Sequence, residues 1–181
     1  DMIYTITKDD ILKAAQHYLK PDEMVIAVAG PEYANYKAVP PAQTVPLRSA
    51  ILRPEQPVQN SVYPLDEDEN ALHLGAVKNG ELVGVASIFK EDTVRADLSD
   101  AWRLRGVVTL EAVRGEGHGK RLVEMFIDYV AYNGGGHIWF NARPDAQGFY
   151  EKLGFHVEGE PYEMGADGLR VFMWQKIEPA D

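Results

Sequence analysis

The sequence predicts an α/β fold, a mixed β-sheet with helices packed on both faces, and three observations carry that prediction. Residues 71–77 and 82–89 are apolar runs joined by Lys78-Asn79-Gly80-Glu81, and an Asn-Gly pair between two such runs signals a hairpin. The β-branched run Leu104-Arg105-Gly106-Val107-Val108-Thr109-Leu110 is followed by a glycine-rich loop, an amphipathic helix and a second apolar run at 137–141. A helix crossing between two strands makes them parallel. Residues 155–160 and 168–177 then read as a closing antiparallel pair.

The first 34 residues differ from the rest. Thr7 with an acid three positions on, Asp10, is a capping-box start for a helix over 8–19, which Pro21 stops. Residues 24–29 read as a buried strand ended by Gly30-Pro31. The run from Ile6 to Pro31 resembles the closing helix and strand of a pitrilysin-type (M16) peptidase domain. That family's His-x-x-Glu-His zinc motif is absent, so no peptidase activity is expected. One helix and one strand cannot form a core alone. The segment 1–34 is therefore expected as a non-catalytic appendage, packed on the domain over 35–181 or on a second copy. A homodimer through this appendage, or through an open sheet edge, is the protein partner it suggests.

Residues 31–41 form a linker, and Tyr36-Lys37-Ala38-Val39 is the first short strand of the main domain. Residues 42–52 are expected to be helical with an interruption at Pro46. Residues 53–69, rich in proline and acid, read as loop with one turn near Val58. The strand pair 71–77 and 82–89 and the strand 101–110 come next. A helix over 117–132 then places Leu122, Met125, Phe126, Tyr129 and Val130 on one face and ends at Asn133-Gly134-Gly135-Gly136.

Composition bounds the function. The chain has 181 residues, 45% of them apolar, as in an ordinary globular domain. No run of 18 apolar residues suggests a membrane span, and no signal peptide is visible, so a cytoplasmic location is expected. The chain begins with Asp1, which suggests trimming from a longer product. Zero cysteines exclude disulfides, thiolate metal sites and a cysteine acyl-enzyme. No His/Asp/Glu spacing argues for a metal site. A net charge of −10 makes nucleic acid and anionic membranes poor partners and suits a cationic acceptor, although solubility alone accounts for it equally well.

The most informative segment is Val113-Arg114-Gly115-Glu116-Gly117-His118-Gly119-Lys120-Arg121-Leu122. A glycine loop opening a helix presents bare N–H groups at the positive end of a dipole, which is an anion site. A P-loop is excluded because Arg121 stands where the magnesium hydroxyl belongs and Arg114 where the first glycine belongs. A dinucleotide fingerprint is excluded by the Gly-x-Gly-x-Gly spacing and by the lack of a strand-ending acid about 20 residues on. Arg114, Gly117 and Gly119 do fit Arg-x-x-Gly-x-Gly. This resembles the acyl-CoA pyrophosphate loop of the GNAT (GCN5-related) N-acetyltransferases. The segment 141–155, ending Phe149-Tyr150-Glu151-Lys152-Leu153-Gly154-Phe155, resembles a second segment of that family. Physically it is a short helix with Asp145 near its start and Gly154 as its stop. Phe149 and Leu153 are expected to face the core, and Tyr150 to point off that face into a cleft.

The resemblance covers about residues 35–177. It implies a twisted sheet splayed between its two central parallel strands, and direct acetyl transfer from acetyl-CoA to a primary amine. It places the CoA phosphates on Arg114, Gly115, Glu116, Gly117, His118, Gly119 and Lys120, and the pantetheine arm along Val107, Val108 and Thr109. Asn141 is a further CoA contact, although the family's asparagine position, seven before the tyrosine, holds Arg143 here. Arg121 and Arg143 add positive charge for the CoA anion. Tyr150 occupies the general-acid position, from which a phenol can donate to the departing thiolate. Glu111, Glu163 and His73 are the candidate bases, with none preferred. The acceptor pocket falls to the loops near 53–69 and 160–168. The alternative reading is a CoA-binding or interaction module without catalysis.

Overall fold

The computed structural model describes residues 34–180 apart from 94, 96 and 97. The helix and strand expected at 8–19 and 24–29, and any contact between copies through them, lie outside the described residues. Among the described residues, seven strands form one sheet in the order β1-β2-β3-β4-β5-β7-β6. They are β1 (Ala34–Ala38), β2 (Leu72–Lys78), β3 (Glu81–Lys90), β4 (Ala101–Thr109), β5 (Gly136–Ala142), β6 (His156–Glu163) and β7 (Leu169–Ile177). Only β4 and β5 are parallel neighbours, joined by helix α2 (His118–Tyr132) as the crossover rule requires. Helix α1 (Pro41–Leu52) precedes β2, and the short helix α3 (Gln147–Glu151) follows β5.

The β2–β3 turn is the expected one. Asn79 and Gly80 both have positive φ, 53° and 83°, which is the two-residue turn that matches strand twist. The expected break in α1 at Pro46 does not occur, because the helix runs unbroken over Pro41–Leu52. Pro46 removes one backbone hydrogen bond, but Thr44 and Arg48 on either side of it are both fully buried and hold the helix against the sheet.

The strand period sorts side chains to two faces. Leu74, Ala86, Ile88, Leu104, Phe140 and Val171 join Leu122, Phe126 and Val130 of α2 in the main core. Their strand neighbours His73, Ser87 and Arg105 face the other way, toward α1. Ser87 and Arg105 stand directly opposite each other, so they share that face.

Two irregularities shape the centre of the sheet. β4 and β5 pair only over Ala101↔His137, Trp102↔Ile138 and Arg103↔Trp139, and beyond that the strands part. In the same stretch β4 bulges against β3. Arg105 opposes Ser87 and Val108 opposes Val85, leaving two β4 residues against Ala86 alone. Gly106 forms the bulge with φ 63°, and a Cβ there would lie 2.8 Å from Arg48 Nε. Glycine is required on both counts.

Candidate active site

The splay opens into a cleft of about 190 Å3 lined by residues that belong to both faces of the sheet. Leu104, Gly106 and Val107 line it from β4, Phe140 and Asn141 from β5, and Tyr150 from α3. Arg53 and Tyr63 from the segment after α1 close one side, and Met164, Asp167 and Arg170 from the β6–β7 connection close another. The two loop regions expected at an acceptor pocket thus meet across one cleft.

The glycine loop lies at the end of β4. Gly115 and Gly117 both have φ 86°, with open space where a Cβ would project. Gly117 caps α2 without any side-chain hydrogen bond. The N–H groups of Gly115, Gly117, His118, Gly119 and Lys120 meet no backbone acceptor among the described residues. Five donors left free at the start of a 15-residue helix are chemically suited to a pyrophosphate. Leu110 N–H donates to Val83 O on β3. By alternation along β4, the peptide groups of Thr109 and Val107 then face the splay, whereas Val108 is buried and directed toward β3.

The loop's side chains are occupied. Glu116 Oε2 accepts from Lys78 Nζ at 2.6 Å and lies 3.2 Å from His118 Nε2. The Lys78 hydrogen bond is the largest cause holding the exposed Glu116 carboxyl below its ordinary range. The His118 ring is buried, with Nδ1 2.9 Å from the Tyr36 hydroxyl, so only its backbone N–H is free for a ligand. Lys120 and Arg121 both approach Glu124, at 3.6 and 3.9 Å. Arg114 is exposed beside the loop. Gly117→Val would force a β-branched residue into the left-handed region, at a cost of about 1–3 kcal/mol, and crowd the anion cradle. Acetyl-CoA affinity is expected to fall more than tenfold by calorimetry, and an unchanged affinity would show that the loop does not hold the phosphates.

Tyr150 lines the cleft as expected but is also packed inward, and Phe149, expected to face the core, is exposed. Tyr150 is the buried residue of α3 at 9% exposure, packed 4.3 Å from the Phe140 ring, whereas Phe149 is 37% exposed. Helix α3 has only five residues and follows a 3-10 turn over Pro144–Ala146, so α-helical spacing does not decide its inward face. The aromatic pocket of Phe140 and Phe155 does. Burial pushes the Tyr150 phenol well above its ordinary range, with Arg143 opposing weakly. Its hydroxyl makes no hydrogen bond among the described residues and lines the cleft. Asp145 gives no side-chain cap to α3 and instead approaches Arg143 at 3.5 Å.

Asn141 lies on the α1 face, opposite Phe172 of β7. Its Oδ1 accepts from the Tyr162 hydroxyl at 2.6 Å and its Nδ2 approaches Met164 Sδ at 3.4 Å. The side chain thereby ties the β6–β7 connection to the rim of the cleft.

None of the three candidate bases lines the cleft. Glu111 is exposed in the turn after β4, and Glu163 belongs to β6, not to a loop. His73 is 5% exposed and fully engaged, with Nδ1 2.7 Å from Ser87 Oγ and Nε2 2.9 Å from Asp66 O. Burial is the first cause lowering its pKa from 6.5. The fold therefore holds His73 neutral, while the unfolded chain takes up its proton first. Stability is expected to fall as pH drops through about 6.5, ahead of the carboxylates. Urea midpoints between pH 7 and 5 check this: His73→Gln should flatten the slope, and an unchanged slope would remove His73 as its cause.

Reading the sequence alone passes over four of the cleft's five arginines. Arg53, Arg103, Arg105 and Arg170 join the already named Arg143 in lining it, against the single carboxylate of Asp167 among the described residues. The alternation Arg103-Leu104-Arg105 in a central strand was the available signal, since it puts two cations on one face.

Comparison with known proteins matches this geometry. The Acetyltransferase (GNAT) family profile matches residues 43–155. The chain belongs to the GNAT acetyltransferase family. It is 32% identical over 141 residues to an uncharacterized N-acetyltransferase, YitI, of Bacillus subtilis (strain 168), covering 78% of this chain and 95% of YitI. Among solved structures, Escherichia coli ElaA is 25% identical with a TM-score of 0.59, over 78% of this chain and 99% of ElaA. An aminoglycoside 6'-N-acetyltransferase complexed with coenzyme A shares the fold, with a TM-score of 0.61 at 21% identity, over 78% of this chain and 92% of that one. The enzyme is thus an acetyltransferase with the splayed sheet and helices on both faces. No helix among its described residues is long and apolar enough to cross a membrane. Among the same residues, no group of three His, Cys, Asp or Glu side chains is placed to hold a metal ion.

Proposed function

We propose that this acetyltransferase moves an acetyl group from acetyl-CoA directly to the nitrogen of a primary amine, with Tyr150 donating to the departing thiolate. The observation that carries the reading is the cleft itself. The splayed β4 leads to the glycine loop, where five N–H groups have no backbone partner among the described residues, and the cleft is lined by Tyr150, whose hydroxyl makes no hydrogen bond among them. The free N–H groups of Gly115, Gly117, His118, Gly119 and Lys120 would hold the pyrophosphate, with Arg114 adding charge. Val107 and Thr109 would pair with the pantetheine arm along the unzipped edge of β4, while Val108 packs beneath.

The amine nitrogen forms a bond to the thioester carbon as the carbon–sulfur bond breaks. The carbonyl oxygen carries the charge between those events, and the Val107 N–H beside the Gly106 bulge would receive it. One oxyanion donor contributes on the order of 3 kcal/mol. The amine loses one proton, which passes to solvent because no unpaired carboxylate or histidine lines the cleft among the described residues. The thiolate gains one. A phenol held above its ordinary range stays neutral, so it contributes a hydrogen bond to the sulfur as charge develops, and the thiolate takes its proton from solvent.

Calorimetric titration with acetyl-CoA, with NAD and dephospho-CoA as comparators, tests the reading, followed by thiol release in the presence of amines. Micromolar binding of acetyl-CoA is the expected result. Binding of NAD, or of nothing, would overturn it.

A further inference from the structure

The overall charge of −10 hides an opposite local field. Five arginines line the cleft, and three of them are committed to carboxylates. Arg53 pairs with Asp167 at 2.8 Å, Arg103 with Glu91 at 2.7 Å and Arg143 with Asp145 at 3.5 Å. Arg105 and Arg170 meet no carboxylate among the described residues. The only hydrogen bond of Arg170 there is to the neighbouring Leu169 O, at 2.8 Å. Among the described residues Arg105 has neither hydrogen bond nor ion pair. Its guanidinium lies over the Tyr63 ring, 3.9 Å from the centroid. Burial lowers its pKa, so the fold holds this charge partly out of water without a partner.

Both arginines face the α1 side of the sheet. Arg105 opposes Ser87, and Arg170 is two residues from Phe172, which opposes Asn141 on that side. Tyr150 packs with the core of the other face. The CoA phosphates do not explain the pair. At about 3.3 Å per strand residue, Arg105 lies roughly 15 Å back along β4 from the glycine loop. An arginine stacked on an aromatic ring, with its donors unspent, is a preorganised fork for an oxyanion. A purely cationic acceptor would meet uncompensated positive charge there.

We propose that the acceptor is an amine that also bears an oxyanion, a carboxylate or a phosphate, and that Arg105, helped by Arg170, binds that group on the α1 face while the amine reaches into the splay. This rests on the acetyl-transfer reading above and differs from the expectation that an acidic chain suits a cationic acceptor.

The test is steady-state thiol release at saturating acetyl-CoA with matched acceptors: 4-aminobutyrate against butylamine, and 2-aminoethyl phosphate against ethylamine. At least one anionic member should exceed its neutral-tailed partner tenfold or more in kcat/KM, and the pair that does so identifies the oxyanion. Arg105→Gln should cut that preference at least tenfold through the acceptor KM, with acetyl-CoA affinity as in wild type. Arg170→Gln, which removes the cation without the stack on Tyr63, should cut it less and serves if Arg105→Gln fails to fold. Equal use within both pairs, or a preference that survives both substitutions, overturns the inference. If no acceptor turns over, the same four compounds are titrated calorimetrically into the CoA-loaded protein. Tighter binding of an anionic member by tenfold supports the inference, and its absence overturns it. Failure to bind acetyl-CoA at all is a separate result that overturns the acetyl-transfer reading with it.

Discussion

Tyr150→Phe is expected to lower kcat by about a hundredfold while leaving acetyl-CoA affinity within about twofold. The ring is what the core uses. It packs on Phe140, Phe149 and Phe155, and phenylalanine preserves those contacts. The hydroxyl makes no hydrogen bond among the described residues, so its removal orphans no partner and stability should be unchanged or slightly raised. Loss of kcat without loss of binding or melting temperature is therefore the signature of a donor that acts when the thiolate departs. Stopped-flow thiol release beside calorimetry separates the two quantities. Equal turnover would take Tyr150 out of the mechanism and leave its raised pKa as a consequence of packing alone.

Asp66→Ala is expected to destabilise the fold by about 3–5 kcal/mol, the cost of leaving a buried charge without its partner. Arg48 is fully buried, and its Nη1 meets both Asp66 carboxylate oxygens at 2.9 and 2.8 Å. Nη2 bonds Ser87 Oγ and approaches His73 Nδ1 at 3.3 Å, and the guanidinium lies 4.2 Å from the centre of the Tyr63 ring. Asp66 also accepts from Tyr63 N–H at 2.8 Å. The substitution would therefore unpair a guanidinium and a peptide N–H together. With a urea slope of about 1–3 kcal/mol per molar for a domain of this size, the midpoint should fall by roughly 2 M. Pairing it with Arg48→Met should recover most of the loss, because removing both charges removes the unpaired one. A fall below about 1 kcal/mol would show that water reaches Arg48. Tyr63 lies over both Arg48 and Arg105, so the same substitution should also loosen the acceptor side of the cleft.

Much of the architecture was legible because its signals are local. The Asn79-Gly80 turn needs two positive φ angles, and those two residues adopt them cheaply. The apolar stripe of Leu122, Phe126 and Val130 faces the core as its spacing requires. The parallel β4–β5 pair follows from a helix of fixed handedness between two strands. The glycine loop was legible for the same reason, since Gly115 and Gly117 occupy conformations closed to other residues.

The misreadings share a cause as well. Nothing local in the sequence marks Arg48 for burial. It is buried because Asp66, 18 residues on, and Ser87, 39 residues on, converge on it. That same anchoring carried α1 through Pro46. Tyr150 packs inward because Phe140 on β5 and Phe155 just before β6, two strands apart in the sheet, leave a ring-shaped space that the helix period does not register.

By itself, then, the amino-acid sequence determined the order and type of the strands and helices, the parallel crossover and the anion loop at the start of α2. Each depends on backbone preferences of residues close together in the chain. Only the tertiary structure decided which charges are paired, which way Tyr150 faces and where the arginines gather. Arg53, Arg105 and Arg170 come from three separate elements, and an electrostatic field sums over distance in space, not over separation in sequence.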